Sequence, residues 1–466
     1  MGEKAKKHTV QSHRHPNCRS GFRRSCRPGL GMVAFCCLLS FILVSCTSPP
    51  ISTSQLKDNL VFDEPVQISV SEEDLPPIPS LPSKLIGSSE YVDGNGIVHG
   101  TTPGGINYTV HGRGTLGYSQ GKVSLCAVGD QLATDMSLPF ADWYAGDYGD
   151  GLYDFTPFYR EIAPMIQSYD LRYINQETVM AGYDGYGYSG YPSFNSPDNM
   201  AETIANVGFN LVGFATNHIY DMGLYGVEHS HEVWARFPQL LIGGSYLTQE
   251  DRETVHMIER NGITFAFLSY TYGDNNYGYG TENMPNAYYS CQFDYDLMTA
   301  DVRRAQQVAD VVIVSLHWGD EYLSDPSPFQ YDYAMFMADL GVDLVLGSHA
   351  HIIQPVQYIT GYSGNTIPVV FGLSDIVSGW TLTDTIFSAI FTCDFVRLED
   401  GSFSVENLLW YPTIEWSDGG DVYVRMLKDM DEYTININTR TEDVYDDYNY
   451  LRDMVYSIGM EIPIVM

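Results

Sequence analysis

Basic residues are scarce in this chain. It carries 24 Lys and Arg against 58 Asp and Glu, a formal charge of −34 over 466 residues. Eight of those basic residues precede Leu30, where Glu3 is the one acid, so the rest of the chain is more acidic than the total implies. A body of that sign repels nucleic acid and anionic lipid, which excludes an electrostatic nucleic-acid binder. Most of the charge reads as a solubilising surface, and cation binding needs specific clusters. Cysteine is sparse where it would matter. Cys18, Cys26, Cys36, Cys37 and Cys46 lie near the start of the chain, leaving Cys126, Cys291 and Cys393, an odd number in widely spaced apolar stretches. That excludes a disulfide framework, and no Cys-x-x-Cys offers a zinc knuckle. The three read as buried small hydrophobes.

With 44% apolar residues, the chain has enough to bury a sizeable core. The N-terminus reads as a targeting signal. A basic region precedes "LGMVAFCCLLSFILVSC", roughly 15 apolar residues, too few for an ordinary spanning helix. Leu43-Val44-Ser45-Cys46 with "TSPP" after it resembles a bacterial lipoprotein signal, cut before Cys46 and lipidated on its thiol. The expectation is an extracytoplasmic protein, lipid-anchored to the bacterial cell membrane. The alternatives are an uncleaved anchor or a plain secretory signal.

Four regions follow: a signal over 1–46, a Pro/Ser/Gly-rich tether with short strands over 47–118, an α/β domain over 119–415 and an acidic C-terminal extension over 416–466. Within the domain, short apolar runs alternate with amphipathic segments, the pattern of an α/β architecture. The runs are "VSLCAVGD", "LRYINQE", "LVGFATNH", "TFAFLSY", "VVIVSLHWG", "DLVLGSHAH" and "IPVVFGLSD". Helices fit between them. "SPDNMAETIANVG" predicts an N-cap at Ser196 and a stop at Gly208, and Pro164 bends or splits "TPFYREIAPMIQSY". A hairpin turning at Asp400-Gly401 and a helix over 444–457 come last. Tyr/Gly-rich loops over 143–155, 183–194 and 270–289 are surface loops or aromatic platforms.

Polar residues fall where the apolar runs stop: Asp130, Glu177, Asn217 with His218, His317, and His349 with His351. Ligand sites in α/β sheets gather beyond the carboxyl ends of the strands. Carboxylate, amide oxygen and neutral imidazole suit Mn, Fe or Zn. Two such ions bridged by a carboxylate bind a phosphate and activate water for in-line attack. Taken singly, each residue is more often a helix cap or a satisfied core group. A polysaccharide deacetylase would favour a His pair at i, i+4, against the i, i+2 spacing of His349 and His351.

"AVGD", "INQE", "VGFNLVGFATNHIYDMG", "IVSLHWGDEY" and "LGVDLVLGSHAHIIQPVQ" resemble, in order and spacing, the CapA family of poly-gamma-glutamate capsule biosynthesis proteins. "NGITFAFLSYTYG" fits the same family, and the resemblance runs from about Val123 to Pro412. It implies a layered α/β/β/α sandwich of metallophosphoesterase type. It also implies two divalent cations, Asp130 and His351 holding one, Asn217, His317 and His349 the other, and Glu177 bridging them. His218 would donate a proton to the leaving group, oriented by Asp221, and Glu321 would back His317 or a nearby loop. The implied substrate is an envelope polymer or a phosphoester or amide bond, with membrane synthase or export subunits as partners. The alternative role is a scaffold that keeps the fold without turnover. Three departures stand out, one being that the bridging group is Glu177 rather than an Asp, which moves the carboxylate outward by one methylene. Gln131 and Leu132 follow Asp130 where metallophosphoesterases carry Asp-x-His, and Ser374-Asp375 replaces a usual Gly-Asn.

Overall fold

Two β-sheets face each other across an apolar interior, and helices cover their outer faces. The computed structural model describes residues 83–112, 121–278, 284, 286–380, 383–440 and 444–466. The signal, Cys46 and most of the expected tether lie outside the described residues. In chain order the strands are β1 (Ser89–Val92), β2 (Val98–Thr101), β3 (Asn107–His111), β4 (Lys122–Gln131), β5 (Leu171–Gln176), β6 (Leu211–Gly213), β7 (Leu241–Gly243), β8 (Val255–Arg260), β9 (Ile263–Thr271), β10 (Val311–His317), β11 (Leu344–Ser348), β12 (Val356–Thr360), β13 (Thr366–Val370), β14 (Asp375–Val377), β15 (Phe387–Arg397), β16 (Phe403–Ser417) and β17 (Val422–Met426).

One sheet has the order β1-β2-β3-β8-β9-β10-β11-β13-β12, the other β17-β16-β15-β4-β5-β6-β7 with β14 alongside β4. The inner parts, β9-β10-β11-β13 and β4-β5-β6-β7, are parallel. Antiparallel strands flank them.

Side-chain alternation sorts the core. Leu125, Leu171 and Leu211 from one sheet meet Phe265, Ile313 and Leu344 from the other in the central layer. The alternate residues Val312, Val314 and Val345 face outward onto helices Tyr295–Val308 and Pro328–Leu340, through Met298, Val302 and Met337. On the opposite outer face, Val128, Ile174 and Val212 pack on helix Asn199–Val207 through Met200 and Ile204. These strands therefore bury both faces, and the sequence reads as near-continuous apolar runs. Each such side chain contributes roughly 1.5–3 kcal/mol on burial. This is the α/β/β/α layering expected from the resemblance.

Local details differ from expectation. Asp198, not Ser196, precedes the helix Asn199–Val207, because the Ser196 hydroxyl is taken by Thr178 Oγ1 at 2.5 Å. Gly208 closes that helix at φ +106. The segment holding Pro164 is split into a short turn, Thr156–Tyr159, and a helix, Ala163–Gln167. The described residues before 119 extend the large sheet through β3 pairing with β8. The acidic C-terminal stretch is part of the core: β17 joins β16, and Leu451 and Val455 of helix Val444–Ser457 are fully buried.

Candidate metal centre

The inner face of the sandwich changes character along its strands. On β10, Val311 and Ile313 are core, Ser315 bonds the Tyr173 hydroxyl at 2.6 Å, and His317 follows on the same side. On β5 the same phase runs Leu171, Tyr173, Asn175 and then Glu177 just past the strand. A two-residue period thus delivers Asn175, Glu177, His317 and Ser348 to one space.

Asp130 reaches that space by another device. From Ala127 its parity would send it outward. A bulge in β4 lies between the pairs Ala127–Tyr173 and Asp130–Asn175, so three residues of β4 oppose two of β5. The extra residue reverses the alternation and turns Asp130 inward. Its carboxylate accepts Asn175 Nδ2 at 2.6 Å and the His349 backbone N–H at 2.9 Å.

The "GSHAH" turn leaves β11 in a left-handed conformation, with φ +88 at His349 and +57 at His351. An extended pair would send both rings to one side of a strand. The turn instead spreads them, with ring centroids 5.8 Å apart, and brings His349 to 4.7 Å from His317. Ala350 between them is buried, 1% exposed.

Glu177 is the centre of the cluster. Its Oε1 lies 3.6 Å from His317 Nε2, 3.9 Å from His351 Nε2 and 4.0 Å from His218 Nε2. Two groups of ligand-type atoms, each within 4.8 Å, share it: Glu177, His317 and His349, and Asp130, Glu177, His351 and Asp375. His317 Nε2 also meets Asn217 Oδ1 at 2.8 Å, while its Nδ1 faces Ser348 Oγ at 2.8 Å.

The electrostatics fit a cation. Both Glu177 carboxylate oxygens, Asp375 Oδ2 and His349 Nδ1 are buried without a hydrogen-bond partner. Leaving such groups unpaired costs roughly 1–3 kcal/mol each, more when charged. Burial pushes Glu177 well above the usual carboxylate range, with Asp130 and Asp375 adding repulsion. Burial and Asp375 raise Asp130 to about 7. Burial, reinforced by the neighbouring imidazoles, depresses His317 and His349, which keeps them neutral as ligands must be. For His351 burial acts downward, but the charges of Asp375 and Glu177 and the bond to Asp375 outweigh it and raise it.

His218 stands at the rim. Its Nδ1 meets Asp221 Oδ2 at 2.7 Å, and the same oxygen accepts the Phe194 backbone N–H at 2.7 Å. The Phe194 ring meets the imidazole edge-on at 4.7 Å. Asp221 therefore fixes the ring and leaves Nε2 toward Glu177. Glu321 is exposed, and its carboxylate groups with His349 and His351, whereas both His317 nitrogens face Ser348 and Asn217. The cause is the turn after β10, where Tyr322 donates its N–H to Ala350 O at 2.8 Å and lies over the histidine loop.

The structure thus brings together Asp130, Glu177, Asn217, His218, His317, His349 and His351. Sequence reasoning missed Asp375 and Asn175 as members of the cluster. Asp375 was visible only as an oddity of the "GLSD" ending, and Asn175 only through period two, two residues before Glu177. Gln131 is turned away, its Oε1 accepting the Tyr159 hydroxyl. Parts of two Tyr/Gly-rich loops reach the site, through Phe194 and through Tyr272, whose ring lies 4.6 Å from His349.

Fold and site define a four-layer α/β/β/α protein with a buried carboxylate–imidazole cluster of metal-ligand type at its strand ends. The chain belongs to the family described as bacterial capsule synthesis protein PGA_cap, whose model matches residues 124–379. It is 27% identical over 182 residues to the PGA biosynthesis protein CapA of Bacillus subtilis (39% of this chain, 46% of that one). It is 23% identical over 269 residues to the capsule biosynthesis protein CapA of Bacillus anthracis (56% of this chain, 62% of that one). The matches thus span about half to three-fifths of those relatives' lengths. Among solved structures, the chain is similar to the NAD nucleotidase NadN of Haemophilus influenzae at TM-score 0.38 and 9% identity, covering 73% of this chain and 68% of that one. It is similar to purple acid phosphatase PPD1 of yellow lupin at TM-score 0.26 and 11% identity, covering 70% and 58%.

Proposed function

We propose that the cleft holds two divalent cations and hydrolyses or transfers a phosphoester- or amide-type bond during synthesis or export of poly-gamma-glutamate or a related envelope polymer. The observation that carries this reading is Glu177, a fully buried carboxylate with neither oxygen hydrogen-bonded, shared by two ligand groups. Asp130, Glu177 and His351 would hold one ion, and Glu177, Asn217, His317 and His349 the other. The ions would supply positive charge that polarises the scissile group. His349 and Tyr272 line a surface groove together with Glu321 and Phe329. His218 moves a proton at Nε2 to the departing group, while Asp221 holds its other nitrogen. The capsule role is supported by the family and by the names of both Bacillus relatives. The N-terminal "LVSC" supports lipid attachment at Cys46 on the outer side of the membrane.

The test is metal content and turnover of generic phosphodiesters by the purified protein. His218→Ala should lower turnover about 10²–10⁴-fold with metal content unchanged. A chain that takes up no metal under any loading condition refutes the two-cation reading. A chain that binds metal without turning over any phosphodiester or amide leaves the scaffold role in its place.

A further inference from the structure

We infer that Asp375 is a ligand of the cation beside Asp130, in the position that Gln131 and Leu132 leave unserved. The inference rests on the two-cation reading. Three observations carry it. First, β14 pairs with β4 so that Asp375 stands directly opposite Asp130. That approach is close: a Cβ on Gly129 would fall 1.7 Å from Ser374 O, so the bare glycine lets the two strand ends meet. Second, the Asp375 side chain is fully buried, and its two oxygens have different fates. Oδ1 meets His351 Nδ1 at 2.8 Å, while Oδ2 has no hydrogen-bond partner. Third, Asp130, Glu177, His351 and Asp375 each offer a ligand atom within one 4.8 Å cluster.

Three carboxylates and one imidazole buried side by side, with three of the carboxylate oxygens unpartnered, form a set that a divalent cation satisfies and an apolar interior does not. A purely positioning carboxylate, bonded to the ring nitrogen opposite the metal, would need only Oδ1. The orphaned Oδ2 is the atom that role does not explain. The two ions would then see different surroundings. The one beside Asp130 has three carboxylates and one imidazole, a set that suits a hard ion such as Mn²⁺. The one beside His317 has two imidazoles, one amide oxygen and the shared carboxylate.

Asp375→Asn separates the two roles, because the amide oxygen can still accept from His351 Nδ1 while the charge is lost. The full-length chain, stripped of metal, is titrated with Mn²⁺ and followed by calorimetry and bound-metal analysis. Two ions per chain are expected in the wild type. In Asp375→Asn one site should weaken at least tenfold and the other keep its affinity, and His317→Ala should do the reverse. Two sites of wild-type affinity in Asp375→Asn overturn the inference while leaving the two-cation reading intact. No metal in the wild type overturns both. Should Asp375→Asn fail to fold, wild-type crystals soaked in Mn²⁺ decide. An anomalous peak about 2.2 Å from Asp375 Oδ2 supports ligation, and a peak held by Asp130 and His351 with Asp375 out of bonding reach overturns it.

Discussion

Gly129→Ala is the substitution that most directly tests how the site is assembled. A methyl group at Gly129 would sit 1.7 Å from Ser374 O and 2.8 Å from its carbonyl carbon, and real Cβ contacts essentially never fall under 3.0 Å. Both atoms are backbone, so no side chain can swing aside, and β4 must part from the 374–377 segment by more than an ångström. Three bonds cross that seam or brace it: Asp130 N–H to Ser374 O at 2.9 Å, Leu132 N–H to Val377 O at 2.9 Å, and Ser374 Oγ to His351 O at 3.0 Å. Each is worth about 1 kcal/mol net, and overpacking adds about 1–3 kcal/mol. With partial relaxation the expected loss is about 2–5 kcal/mol, read from denaturant unfolding of the metal-free protein. The cation beside Asp130 should be lost in parallel. Gly94→Ala is the control, since nothing lies within 4 Å of a Cβ there. A Gly129→Ala protein within 0.5 kcal/mol of wild type and retaining both ions would refute the idea that this crossing sets the cluster.

Glu177→Gln removes the carboxyl that both ligand groups share, at a place where neither oxygen has a hydrogen-bond partner. Burial already holds this carboxyl well above the usual carboxylate range, so the metal-free protein should change by less than about 1 kcal/mol in thermal or denaturant unfolding, while metal no longer raises its melting temperature. His231, whose Nε2 faces Ser245 Oγ at 2.9 Å, is pushed by burial from 6.5 to about 4, Asp251 opposing weakly. Between those values the unfolded chain binds a proton that the folded one refuses, so stability falls as pH drops from about 6.5 to about 4. His231→Gln should lack that loss, about 3 kcal/mol by pH 4, in paired unfolding curves. Cys46→Ser should release the protein from the membrane fraction of a lipoprotein-processing host, and retention in that fraction would refute lipidation at this residue.

What the sequence showed, and what it hid, follows from which interactions are periodic. The central strands bury both faces, so β4, β5, β10 and β11 appear as apolar runs, and the polar residue ending each run marks the end of the sandwich. β1 gave no such signal because all four of its residues are exposed. It is held by backbone pairing with β2, which any sequence can make. The C-terminal stretch showed its helix over 444–457 but hid its place in the core. Its acids dominate the composition, yet Leu451 and Val455 at helical spacing close the core. The helix before Gly208 starts late because Ser196 was committed to Thr178, a contact far from any local rule.

The site adds a stricter case. Counting alternation from Leu125 predicts that Asp130 faces the outer helices. It faces the cleft only because β4 carries one residue more than β5 between two registered pairs. No residue type announces that bulge, although Gly129 within it is where the backbone must pass Ser374 most closely. The same crossing sets Asp375 opposite Asp130. The departures noted in the sequence at Gln131-Leu132 and at Ser374-Asp375 therefore meet at a single place in the fold. Read alone, the missing Asp-x-His histidine leaves the ion beside Asp130 one ligand short. Their juxtaposition argues that one departure compensates the other, so variants at Leu132 and Asp375 should be strongly non-additive: Leu132→His, which restores Asp-x-His, should change Mn²⁺ affinity little in the wild type, and any rescue it gives should appear only in Asp375→Asn. Equal gains from Leu132→His in both backgrounds, measured by the same titration, would refute the compensation.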